Sequence, residues 1–181
     1  LSTGSLPIGN ITSNEIDIRL LNRDDRFNEG NILSPYHNLM KPNRKVRVWV
    51  GPVLPSGIVE YQPWGVFWTQ EWTVPEQELY ADTTARDRMQ LLAESTYNCP
   101  LVHNTNLYDR AIHILQDAGL VPDEYWVDPE LQEYTVEWFW MESCSHREAL
   151  RKVVEACLGQ AYADRKGVIR VEGPSFIKKP E

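Results

Sequence analysis

The sequence predicts an α+β chain: an N-terminal antiparallel, barrel-like β domain over residues 1–97, followed by a smaller α/β domain over 98–181 with two helices, a β-hairpin and a C-terminal linker. Three observations carry this. The first half contains runs in which apolar and polar residues alternate one for one, as in strands with one face on a core. The second half contains two capped stretches with apolar residues every three to four positions, as in amphipathic helices. The change of period falls near STYNCPL, residues 95–101, and sets the boundary.

Residues 15–21, EIDIRLL, place Ile16, Ile18 and Leu20 on one strand face and Glu15, Asp17 and Arg19 on the other. Residues 45–50, KVRVWV, set Val46, Val48 and Val50 against Lys45, Arg47 and Trp49. Residues 22–44, rich in Asn, Gly, Pro and Asp, read as a long connection. In QPWGVFWTQEWTV, Trp64, Val66, Trp68 and Trp72 share one face, and Pro63, Gly65 and the aromatic and β-branched content favour a strand over a helix. Residues 78–84, ELYADTT, read as a strand returning beside it, after which Asp87 and Gln90 suit the capping box of a short helix.

In the second half Asn106 caps LYDRAIHILQDAG, with Leu107, Ala111, Ile114, Leu115 and Ala118 on one side and Gly119 as the left-handed stop. Residues 133–140, EYTVEWFW, read as a strand. Ser145 and Glu148 form the capping box of SHREALRKVVEACLG, whose Ala149, Val153, Ala156 and Cys157 face inward before Gly159 ends it. QAYADRKGVIRVE reads as a hairpin turning at Asp164–Gly167.

The basic run SPYHNLMKPNRKVRVWVG, with His37, Lys41, Arg44, Lys45 and Arg47, allows two readings: a phosphate grip, or the outer face of a half-buried strand. A net charge of −8 opposes nucleic acid and anionic membranes. Glu15 and Asp17 complement Lys45 and Arg47, so the two early strands are expected to be ladder neighbours that neutralise one another. Neither nucleic acid nor a membrane is expected as a partner. Leu1 at the start and GPSFIKKPE at the end read as the limits of a piece of a longer protein.

No reaction centre is apparent, and no catalytic residue, metal or cofactor is expected. Cys99 with His103 and Cys144 with His146 lie too far apart in sequence for the usual zinc spacing. Three cysteines make no disulfide framework. Cys144 beside His146 at a helix start lacks a third group that would make it a nucleophile. Asp123, Glu124, Asp128, Glu130 and Glu133 sit among prolines and read as a solvated loop. Seven tryptophans are many for 181 residues, and Trp49, Trp64, Trp68 and Trp72 are the expected subunit contacts. The alternative use of the Trp64, Trp68 and Trp72 stripe is sugar stacking, in a carbohydrate-binding module that recognises a host surface.

The order of NEIDIRLLNRDDRFNEGN, SPYHNLMKPNRKVRVWVG, WGVFWTQEW and YADTTARDRMQLL resembles the N-terminal barrel of phage tail-hub and baseplate proteins. NLYDRAIHILQDAGL and SHREALRKVVEACLGQAYADRKGVIRVE resemble the helices and hairpin of the α/β domain that follows it. The resemblance covers residues 14–173 and implies a non-enzymatic structural adaptor between the tail tube and spike or fibre proteins. It also implies a homotrimeric assembly, other tail proteins as partners, and a place in the virion tail after assembly in the bacterial cytoplasm. Such hubs carry a second barrel after the α/β domain, which this sequence does not supply. A structural part of a tail-associated cell-wall hydrolase is the remaining alternative.

Overall fold

The computed structural model describes residues 11, 13–28, 30–74 and 79–178. The sequon Asn10-Ile11-Thr12 and the end of GPSFIKKPE lie partly outside the described residues. The chain divides into two compact units, Asn14–Asp87 and Leu1–Ser13 with Arg88–Glu181.

The Asn14–Asp87 unit is one curled antiparallel sheet of β1 (Glu15–Leu21), β2 (Lys45–Val50), β3 (Gln62–Thr69) and β4 (Tyr80–Arg86). Its order is β1-β4-β3-β2, so β1 and β2 are opposite edges rather than the expected neighbours. The reason is visible in the register. β1 carries mixed signs, and β4 answers each: Glu15 faces Arg86, Asp17 faces Thr84 and Arg19 faces Asp82. The purely basic β2 has no partner for Arg19. It pairs with β3, reached through a local hairpin.

The inner face buries Phe67, Ala81 and Ala85, and the buried polar side chains Thr69, Asn22 and Asp87 are hydrogen-bonded within the unit. Thr69 Oγ1 accepts from Arg44 N at 3.0 Å and donates to Lys41 O at 3.0 Å, pinning the end of the long loop to β3. Asn22 Oδ1 accepts from Phe27 N at 2.8 Å. Asp87 accepts from Asn14 N and Nδ2 at 2.8 and 2.9 Å, closing the unit where its two ends meet.

The second unit contains α1 (Arg88–Glu94), β5 (Thr96–Asn106), α2 (Leu107–Asp117), β6 (Tyr125–Val127), β7 (Thr135–Ser145), α3 (His146–Ala156), β8 (Gln160–Ala163) and β9 (Ile169–Glu172). β5 and β7 form a two-stranded antiparallel sheet; β6, β9 and β8 form another, with β6 parallel to β9. The two helices and the hairpin fall where the sequence puts them. Asn106 Oδ1 accepts from Asp109 N at 2.8 Å, and Ser145 Oγ accepts from Glu148 N at 3.1 Å.

Three local expectations change. β5 occupies the stretch read as a boundary, and it tolerates Pro100 because its register with β7 shifts between Cys99 and Val102. The acidic run is no simple loop: Tyr125–Val127 is a strand, and Asp128 caps a 3₁₀ turn by accepting from Glu130 N at 3.1 Å. At the end of α3 the left-handed residue is Leu158, with φ 56°, rather than Gly159. Gly159 is needed for space, since a Cβ there would stand 2.2 Å from Glu172 O. The start of GPSFIKKPE forms a 3₁₀ turn, with Ser175 Oγ 2.5 Å from Glu130 Oε2.

Candidate interaction surface

The outer face of the first unit is a charged lattice with one unbalanced side. Directly across the sheet, Glu15, Arg86, Trp68 and Lys45 form a single row. Arg19 grips Asp82 with two bonds of 2.9 and 2.8 Å, which holds the Asp82 carboxyl below its usual value. Arg86 Nε lies 3.3 Å from Glu15, and Thr84 Oγ1 donates to Asp17 at 2.8 Å. On the β1–β4 side, then, Asp82 and Glu15 each meet an arginine, whereas Asp17 meets a neutral hydroxyl. On the β2 side, Lys45 sits over the Trp68 ring at 5.5 Å. Lys41, Arg44, Lys45 and Arg47 have no ion pair among the described residues.

The four tryptophans singled out in the sequence separate. Trp49 and Trp64 are exposed at 50% and 57%, whereas Trp68 is 9% exposed, on the same face as Lys45. Trp72 lies beyond the end of β3, half-buried, with its indole Nε1 enclosed and unpartnered among the described residues. A sugar-stacking stripe needs adjacent exposed rings, and only Trp64 of that stripe is open.

Beyond a register shift at Val48/Trp49, β2 and β3 continue into an arm. Val53 bridges Val59, Leu54 N donates to Ile58 O at 2.8 Å, and Gly57, φ 79°, makes the turn. Val53 and Val59 emerge on one face of the arm; Leu54 and Ile58, one position along, emerge on the other. All four are exposed, as are Val50 and Tyr61, and Glu60 is the single charged residue between Trp49 and Trp64. In the long loop Ile32, Leu33 and Leu39 are exposed too. Among the described residues of this unit six apolar side chains are buried and fifteen large ones are exposed. In the other unit the balance is reversed, twenty-two against six.

The second unit carries an aromatic patch that the sequence reading missed. Trp138 and Trp140 alternate with buried Phe139 and Met141 on β7, so both rings face outward at 56% and 59% exposure. His103 packs edge-on against Trp138 at 4.1 Å, and Leu101 and Pro100 line an open depression with Trp140. The period-two pattern of EWFW was the available signal.

Inside this unit Tyr97 Oη lies 3.1 Å from His113 Nδ1, and buried His146 lies 3.0 Å from Asp117 through Nε2. Burial pushes the Tyr97 phenol up. Burial also raises the Cys157 thiol, which makes it a poor nucleophile. No cluster of three or more His, Cys, Asp or Glu residues able to hold a metal ion occurs among the described residues. No helix among them is long and apolar enough to cross a membrane.

No family model matches the chain, and no curated protein matches it. Among solved structures it is similar to the 43 kDa tail protein of prophage MuSo2 from Shewanella oneidensis, at 13% identity and a TM-score of 0.59. The likeness covers 91% of this chain and 47% of that one, so this chain spans about half the length of that protein. At such identity the likeness is one of fold, and it runs through both units.

Proposed function

We propose that this chain is a non-enzymatic structural component of a phage or prophage tail, at the hub or baseplate, where it connects the tail tube to spike or fibre proteins. In this reading it works as a homotrimer with other tail proteins in the virion tail, and it is assembled in the bacterial cytoplasm. The observation that carries the proposal is the shared fold with a prophage tail protein across 91% of the chain. The surface supports it: a unit whose apolar side chains are mostly outside gains its missing burial by assembly. Trp49 and Trp64, exposed near an arm with a single charge, are the proposed anchors, since large aromatics dominate interface energetics. Trp68, buried, and Trp72, half-buried, are the remaining proposed contacts.

Immunogold labelling of intact virions tests the location: label at the tail tip is expected, and label confined to the head or shaft overturns it. Replacing Trp49 and Trp64 together by Ser is expected to cut incorporation into tails by more than tenfold while leaving the melting temperature of the isolated chain unchanged. Unaltered incorporation would remove these rings from the interface.

A further inference from the structure

We propose that the β2 edge of the sheet, which has no strand partner among the described residues, receives the β1 edge of a second copy of this chain, antiparallel, with Lys45 opposite Asp17 and Arg47 opposite Glu15. This rests on the reading of the chain as an assembling structural protein and names the contact. Complementary charges on two strands of one sheet would ordinarily pair within the sheet; here they lie on its two outer edges. Four independent conditions for joining the edges are met together.

The first is direction. Three antiparallel pairings separate β1 from β2, so the two edges run oppositely. A second copy, turned about an axis along the strands, presents its β1 antiparallel to β2.

The second is hydrogen-bond phase. Asp87 N donates to Asn14 O and Asn22 N donates to Leu79 O, so the even-numbered residues of β1 point their backbone groups at β4. Glu15, Asp17 and Arg19 therefore point theirs at the open edge. Thr69 N donates to Arg44 O at 2.9 Å, which by the same alternation turns the backbone groups of Lys45 and Arg47 to the open edge of β2. Lys45 with Asp17 and Arg47 with Glu15 are thus all edge-facing, as a ladder requires.

The third is facing. Glu15 and Lys45 end the same cross-sheet row, and Asp17 and Arg47 share their face by alternation. Val46 then meets Ile16 on the opposite, half-buried face.

The fourth is charge. The basic residues of β2 have no ion pair among the described residues. Glu15 is 63% exposed despite its bond to Arg86, and among the described residues Asp17 is answered only by the neutral Thr84 hydroxyl. A slip of two residues either way sets Lys45 against Arg19 or leaves Arg47 opposite Ser13, and a slip of one breaks the phase. Because each copy offers one edge of each kind, the contact is head-to-tail and repeats until it closes.

The test uses the full chain and two charge-reversed variants, Glu15→Lys/Asp17→Lys and Lys45→Glu/Arg47→Glu, followed by analytical ultracentrifugation. The wild-type chain is expected to associate. Each variant alone is expected to associate at least tenfold more weakly, and an equimolar mixture is expected to recover, because each variant then supplies the other's missing edge. Should the β1 variant lose its fold with the Arg86 contact, Asp17→Cys/Lys45→Cys carries the test: oxidation should yield covalent multimers, and Asp17→Cys/Arg47→Cys should not. A monomeric wild-type chain, a mixture that stays apart, or crosslinking favouring Arg47 overturns the proposal. If wild type and both variants associate equally, this pairing fails while the tail-tip location, read separately by labelling, stands. If the β2 variant loses only its binding to a different tail protein, the edge serves an acidic strand of that protein and the second-copy assignment is wrong.

Discussion

At the scale of single residues, Tyr97 illustrates how burial becomes a pH dependence. Its ring is fully buried, its hydroxyl meets His113, and its pKa lies above the ordinary 10.0, with burial as the first cause. Above pH 10 the unfolded chain releases this proton while the folded chain keeps it. The folded state then binds more protons, and stability falls as pH rises past 10. Tyr97→Phe should flatten this alkaline loss in melting curves taken at intervals from roughly pH 9 to 11; an unchanged slope would locate the effect elsewhere. The tryptophans show the limit of the sequence at this scale. Period two groups Trp64 with Trp68, but the register shift between Val48 and Trp49 leaves Trp64 without a partner across the ladder, and the two rings differ in what covers them. Trp68 is overlain by Lys45 and Trp64 is open. Trp138 and Trp140 obey the same period, yet the two neighbours that turn them outward, Phe139 and Met141, went unused as a signal.

At the scale of elements, the helices were legible because caps and periodicity agree, and α2 and α3 begin at Asn106 and Ser145 as their sequences require. Strands β1 and β2 were legible as strands but not as partners. Their outer charges fit several neighbours, and cross-strand pairs of about 0.2–1 kcal/mol do not fix strand order. β5 was hidden by Pro100 and three asparagines, and only its long-range ladder to β7 makes it a strand. The two glycines after the helices differ in kind. Gly119 has φ 83° and open space around it, so Gly119→Ala is expected to cost about 1 kcal/mol through backbone conformation. At Gly159 a methyl would collide with the Glu172 carbonyl, so Gly159→Ala is expected to cost about 1–3 kcal/mol by forcing α3 and the β8–β9 hairpin apart. Urea midpoints of the two variants read the difference, and a Gly159→Ala protein as stable as wild type would refute the close approach.

At the scale of the whole molecule, the proposed assembly brings together copies of a chain of charge −8, and its contacts must escape mutual repulsion. In that proposal the arm between Trp49 and Trp64, with Glu60 alone, and the basic edge at its root are the contacts that do so. The division at Asp87 and Arg88 puts α1 with the second unit, where Met89 and Leu92 join the main apolar core. That unequal sharing of buried side chains has a kinetic corollary. In the isolated chain, backbone amides of β1 to β4 should take up deuterium well before those of α2 and α3, because opening the thinner half frees little packed surface. On entering the assembled particle they should slow to match. A chain whose halves protect their amides equally when alone would mean that the sheet already has the support it is thought to await.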